Sequence, residues 1–185
     1  MENFLLQREL TISCSRTERG KHMQLGIRLH DIKKAPLEER LAIAKEQGFL
    51  CGHLALSKVI TEYPVDDGAL TPGYAMYLKK IFAKNDLDIA VLGCYLNLAN
   101  PDEGQLAKIT HRYLAHIRFA SLLGVGVVGT ETGAVNEAYK FEEKNHSDEA
   151  LDIFIQNVKP VISYAEKMAG VETYRMQSEE SAESA

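Results

Sequence analysis

From Gln24 onward, short apolar runs alternate with stretches whose apolar residues recur about every 3.6 positions. That alternation predicts βα units built around a parallel sheet. Four strands are predicted, over 25–30, 52–56, 87–95 and 125–129, each rich in apolar residues as buried parallel strands are. Helices are predicted between them. Pro36 opens the first, which runs to Gln47 and stops at Gly48, a proline start with a glycine stop. The second spans 74–85. The third opens at Asn100-Pro101-Asp102-Glu103, with Asn100 as cap, Pro101 in the first turn and Glu103 closing a capping box. Its stripe is Leu106, Ile109, Tyr113, Ile117 and Ala120. Ser147 caps the fourth, whose stripe of Leu151, Phe154, Ile155, Val158, Ile162 and Ala165 continues past Pro160, where a kink is expected.

After Gly170, where a fifth strand is due, the chain reads Val-Glu-Thr-Tyr-Arg and then runs into serines and glutamates. No buried strand is expected there. A closed eight-stranded βα barrel takes about 250 residues, so four units make half of one. The expected organisation is one α/β domain over 23–168, a non-native or disordered extension over 1–22 and an acidic, disordered tail over 169–185. Back-translated from Ala169 and read one nucleotide later, the tail is compatible with a shifted reading frame, with Met176-Gln177 then forcing a cysteine. Residues 18–22 can be encoded by a purine-rich ribosome-binding sequence, which makes Met23 the expected native start.

The composition narrows the function classes. With 185 residues, 45% hydrophobic, 25% charged and a net charge of −5, the chain is ordinary for a globular protein. It lacks the Lys/Arg cluster of a nucleic-acid binder, so a small-molecule partner is expected and nucleic acid is not. Neither a signal peptide nor an apolar run of about 18 residues is present, so no membrane partner is expected either. Cys14, Cys51 and Cys94 are too few and too far apart for a disulfide framework. They read as reduced thiols of a cytoplasmic protein, in which the sequon at Asn145 is accidental.

Gly124-Val-Gly126-Val-Val-Gly129 matches the dinucleotide fingerprint by letter, but the fingerprint must follow a strand and open a helix. Here a helix precedes it and the apolar residues inside it are the strand. In parallel α/β folds, ligands meet the carboxyl ends of strands. The polar residues there are Arg28, His30 and Asp31, then His53 and Ser57, then Tyr95 and Asn97, then Glu131. His30, Asn97 and Glu131 are the candidate substrate-binding residues, and Glu131, between threonines at a strand end, is the strongest for contacting a polyol or a metal. His30 and Asp31 are adjacent, so on a strand only one would face the site. His53 inside an apolar strand reads as a hydrogen-bonded core histidine. His111 and His116, five apart on a helix, are not a zinc pair.

With these strand ends in place, the stretch from Met23 to Met168 resembles the xylose isomerase-like TIM barrel superfamily, specifically its sugar phosphate isomerase/epimerase group. The resemblance rests on Leu-Gly-Ile-Arg-Leu-His-Asp at 25–31, Gly-His-Leu-Ala-Leu-Ser at 52–57, Leu-Gly-Cys-Tyr-Leu-Asn at 92–97 and Gly-Thr-Glu-Thr-Gly at 129–133. It covers the first half of a family barrel. It implies a sugar or sugar phosphate substrate and proton transfer beside the sugar carbonyl, assisted by a divalent metal such as Mn, Mg, Co or Zn. The metal-binding Glu, Asp, His and Glu of that family come from the fifth to eighth strands. No position of this chain matches them, so no metal ligand is assigned.

Two readings of function follow. One is a sugar isomerase/epimerase-like protein, and the other a catalytically inactive half-barrel or association module, whose open sheet edges would favour self-association. A DNA-repair endonuclease of the same superfamily would need a histidine-rich metal cluster and a basic surface, and a nicotinamide-dependent dehydrogenase would need the fingerprint in its proper place.

Overall fold

A computed structural model describes residues 23–168 and 172–175. The expectations for 1–22, and those for 169–171 and 176–185, lie outside the described residues. Five strands, β1 (Gly26–Arg28), β2 (Cys51–Leu54), β3 (Asp88–Gly93), β4 (Val127–Thr130) and β5 (Glu172–Arg175), form one sheet in the order of the sequence. Every neighbouring pair is parallel. The β5 backbone pairs with β4 from Val127↔Glu172 to Thr130↔Arg175. A fifth strand therefore stands where the sequence pattern predicts only tail. Strand pairing is a property of the backbone, and a polar strand at the end of the sheet carries no run of apolar residues to announce it.

Parallel neighbours need crossovers, and these are α1 (Leu37–Glu46), α3 (Pro72–Lys84), α4 (Glu103–Leu123) and α5 (Asp148–Lys167), with a single-turn α2 (Leu56–Val59) directly after β2. Local chemistry sets their ends. Thr71 caps α3 by accepting the Tyr74 N–H at 3.2 Å, with Pro72 in the first turn. The cap of α4 is Asp102, which accepts the Gln105 N–H at 2.6 Å, and not Asn100. Asn100 instead accepts the Asp102 N–H at 2.9 Å, an Asx turn that delivers the chain to the helix two residues later. Gly124 closes α4 in the left-handed region, φ 73°. Ser147 caps α5 through the Ala150 N–H at 3.2 Å, as its sequence predicts.

The core lies between sheet and helices, with Leu54, Leu92 and Val128 from the strands meeting Leu41, Leu78, Phe82, Ile117 and Phe119, all essentially inaccessible to solvent. Helix α5 runs as one element through Pro160. It buries Ala150, Phe154, Val158, Val161 and Ala165, while Leu151, Ile155 and Ile162 of the predicted stripe stay 37–40% exposed. The apolar surface of α5 is broader than the contact it makes. Among the described residues no helix is long and apolar enough to cross a membrane.

Candidate functional site

The carboxyl ends of β1 to β4 open onto a cleft of about 670 Å³. Its floor is made by Arg28 from β1, His30 from the turn that follows, His53 from β2, Tyr95 two residues after β3 and Glu131 directly after β4. Its outer wall is the long segment between β4 and α5, including Tyr139, Phe141 and His146. Chain direction explains the convergence, because parallel strands present all their carboxyl ends on one side.

His53 reaches the floor through a register shift. Gly52 pairs with Ile89 but His53 with Val91, so β3 carries one extra residue at this point. Such a bulge re-aims side chains locally. The His53 Nε2 atom lies 2.7 Å from the Tyr95 hydroxyl, and the His30 and His53 rings meet edge to face at 5.3 Å. Gly93 makes room for this pair, since a Cβ there would stand 2.5 Å from His53 Nε2 and 2.6 Å from Tyr95 Cε2. Burial, then the neighbouring His30, Arg28 and Lys58, push the His53 pKa down to about 4. The His30 pKa is lowered as well, again first by burial. Both imidazoles are therefore neutral at physiological pH. Burial pushes the Tyr95 phenol up to about 12, with the Glu131 carboxylate adding to it, so its proton stays in place. The Lys58 ammonium sits 4.6 Å from the centre of the Tyr95 ring.

Of the residues that the sequence singles out, His30 and Glu131 line the cleft and Asn97 does not. Asn97 is 4% exposed, and its amide is fully engaged by backbone. It donates to the carbonyls of Ala134 (2.7 Å) and Asn136 (3.3 Å) and accepts from the N–H groups of Ala99 (3.1 Å) and Ala134 (2.9 Å). The expectation that Asn97 meets substrate is corrected accordingly: it anchors the outer wall. Gly133 passes over it with φ 83°, and a Cβ there would come within 2.3 Å of Asn97 Oδ1. At the far side of the wall the Tyr139 hydroxyl donates to Glu131 Oε1. Burial and that carboxylate raise the Tyr139 pKa.

The segment 29–31 is a 3-10 turn and not a strand, so the rule of opposite faces does not govern His30 and Asp31. Asp31 pairs with Arg28, Oδ2 to Nε at 2.7 Å and Oδ1 to Nη2 at 3.1 Å, and lies 4.0 Å from His30 Nε2. That guanidinium holds the Asp31 carboxyl below its ordinary pKa. Ser57 sits exposed in α2, outside the cleft. His53 is at once a largely buried histidine bonded to a neighbour and a floor residue. His111 is exposed beside Asp67, 3.0 Å from Nδ1 to Oδ2. His116 is buried, its Nδ1–H donating to the Arg112 carbonyl at 2.9 Å, and burial pushes its pKa down to about 4. Of the fingerprint glycines, Gly124 ends α4 and Gly129 lies within β4, so no helix N-terminus follows them. Lys58, Tyr139, Phe141 and His146 are among the cleft residues that sequence reasoning missed. Two aromatics inside a polar loop, Tyr139 and Phe141, were the available signal.

The donor set also tests the divalent metal that the resemblance implies. Among the described residues no group of three His, Cys, Asp or Glu side chains is placed to hold a metal ion. His30, His53 and Glu131 share the cleft without forming a coordination shell, so a metal does not fit these residues.

The family described as Xylose isomerase-like TIM barrel matches residues 28–183, and the chain belongs to it. Among solved structures, a protein of Sinorhizobium meliloti 1021 superposes with a TM-score of 0.60 at 19% identity, over 82% of this chain and 50% of that one. A D-tagatose 3-epimerase-like protein gives 0.60 at 18% identity, over 83% and 52%. The D-psicose 3-epimerase of Clostridium cellulolyticum H10, solved with D-tagatose, gives 0.58 at 16% identity, over 82% and 51%. The chain thus spans about half the length of these structures. A comparison with curated proteins gives no match.

Proposed function

We propose that this chain is the amino-terminal half of a sugar isomerase/epimerase-type site and that its strand-end cleft binds a sugar or sugar phosphate. One observation carries the reading: four successive strand ends bring Arg28, His30, His53, Tyr95 and Glu131 to one floor, where both imidazoles are neutral. A neutral imidazole donates at one nitrogen and accepts at the other, a protonated phenol does both, and a carboxylate accepts. That inventory matches the hydroxyls of a polyol. The epimerase crystallised with D-tagatose adds support by likeness of fold. In this reading Glu131, after exchanging its Tyr139 partner for a sugar hydroxyl, is the principal acceptor, and His30 and His53 orient the chain of hydroxyls. The proton transfer beside the carbonyl belongs to the complete barrel. The divalent metal of the intact family would be held by residues other than these. The free, buried Cys51 and Cys94 are in keeping with a cytoplasmic setting, and the net charge of −5 favours a small-molecule partner over nucleic acid.

The test is a titration of the purified chain with a ketohexose such as D-tagatose and with a ketohexose phosphate, followed by NMR. The reading predicts millimolar binding that Glu131→Ala weakens roughly tenfold, the loss of one charge-assisted hydrogen bond. Turnover of the sugar in the presence of Mn²⁺, Mg²⁺ or Co²⁺ would assign the whole reaction to this chain, whereas binding without turnover would leave it the binding half.

A second reading, a catalytically inactive association module, is favoured by the exposed Ile153, Ile155 and Ile162 of α5 and by a sheet that, among the described residues, ends at β1 and β5 without a further strand. Sedimentation velocity separates the two: a monomer that binds sugar supports the first, and a dimer or larger species that binds none supports the second.

A further inference from the structure

Lys58 brings a positive charge to the cleft without a carboxylate to balance it. The other charges of the floor are engaged: Arg28 pairs with Asp31 at 2.7 and 3.1 Å, and Glu131 accepts the Tyr139 hydroxyl. Among the described residues no carboxylate stands within ion-pair distance of Lys58. Its place is set by packing. Leu56 and Val59, on either side of it in the single turn of α2, are wholly buried, and the N–H groups of Lys58 and Val59 both donate to the Ala55 carbonyl at 3.0 Å. The turn is thus anchored in the core five residues beyond His53, and the exposed Lys58 side chain lines the cleft. Its ammonium lies 4.6 Å from the centre of the Tyr95 ring, whose hydroxyl is 2.7 Å from His53 Nε2.

The ring beneath Lys58 supplies no counter-charge, because burial above all pushes the Tyr95 phenol up to about 12 and keeps it protonated. An ammonium has three donors, and an aromatic face takes up one side of it, so donors remain for a ligand. The field of Lys58 also reaches the floor. After burial, which comes first, its charge is among the causes that lower the pKa of both His30 and His53. We propose that Lys58 receives an anionic group on the sugar, a phosphate monoester or a carboxylate, so that the cleft takes charged sugars in preference to neutral ones. A phosphate monoester offers three acceptor oxygens and a charge of about −1.5 to −2 near neutral pH. Such a group at the end of the carbon chain leaves the carbonyl and its neighbouring carbon free, as proton transfer there requires. The inference rests on the sugar-binding reading and narrows it to the charge class of the sugar.

The experiment titrates the chain and its Lys58→Met and Lys58→Arg variants, at low and at raised salt, with a ketohexose, the corresponding ketohexose phosphate and a hexuronate, followed by NMR. Expected is roughly tenfold tighter binding of a charged sugar than of the ketohexose, the gain of one charge-assisted contact. That preference should disappear in Lys58→Met, shrink at raised salt and persist in Lys58→Arg. A preference for the phosphate alone would identify the anion as a phosphate monoester, and one for the hexuronate alone as a carboxylate. Equal affinities for charged and neutral sugars in the unsubstituted chain, or a preference that survives Lys58→Met, would overturn the assignment while leaving the sugar site standing. If no sugar binds the unsubstituted chain, the sugar site itself fails and the assignment falls with it. Lys58 is exposed, so neither substitution threatens the fold, and unchanged amide spectra outside the cleft check this.

Discussion

The Tyr95 hydroxyl lies 2.7 Å from His53 Nε2, joining the ends of two neighbouring strands at the centre of the cleft floor. The contact depends on a third residue without a side chain. At Gly93 a Cβ would occupy the space that both rings use. Gly93→Ala is therefore expected to destabilise the chain by about 1–3 kcal/mol, the usual cost of overpacking, and to shift the imidazole resonances of His53. Urea denaturation and a histidine-selective NMR spectrum check both, and an unchanged His53 signal would show that the pair is not held as described.

Acid sensitivity follows from the histidines. His53 and His116 have folded-state pKa values near 4, below the ordinary 6.5, because burial opposes their charged forms. Between those values the unfolded chain binds protons that the native chain refuses, so stability rises with pH across that window. Stability is expected to be level above about pH 7 and to fall as pH drops from 6.5 towards 4. Urea midpoints measured across that range test this. The His116→Gln variant should show a shallower decline, and a wild-type midpoint that is flat down to pH 4 would contradict the burial of these rings.

Asn97→Ala removes four hydrogen bonds and leaves the buried N–H groups of Ala99 and Ala134 without their acceptor. A loss of roughly 2–4 kcal/mol is expected from two unsatisfied buried donors. Hydrogen exchange should accelerate at 133–136 and much less in α3. Uniform acceleration would mean that Asn97 supports the whole domain and not the wall of the cleft.

Glu131 and Tyr139 supply an optical test. The carboxylate adds to burial in raising the Tyr139 phenol above its ordinary 10.0. Glu131→Gln keeps the shape and removes the charge, so the Tyr139 titration, followed by phenolate absorbance, should move down towards its ordinary value. No movement would show that the two groups are apart in solution.

How much of this was legible in the sequence differs by element. The βα alternation was readable because buried parallel strands are apolar on both faces, as in Cys51–Leu54, where all four residues are buried. Strand β5 was not, because its sequence is polar and carries no apolar run to announce the parallel pairing with β4. The cap at Ser147 was plain from local chemistry, whereas Asn100 misled because an Asx turn and a helix cap use the same side chain. His30 and Glu131 were placed at the cleft by strand-end position alone. Asn97 occupies the same kind of position but is inward-facing, and only the path of the loop after β4 decides that. The contributions of Tyr139 and Phe141 depend on how that loop folds back over the strands, which no local pattern encodes.

The central claim is that the floor of this cleft binds a sugar through His30, His53 and Glu131. Its most direct test is the imidazole ¹H–¹⁵N spectrum of the chain during a sugar titration. The account predicts saturable shifts at His30 and His53 with none at His111 or His116, which lie on α4 away from the cleft. Shifts confined to His111 or His116, or no shift at any histidine up to saturating sugar, would contradict it.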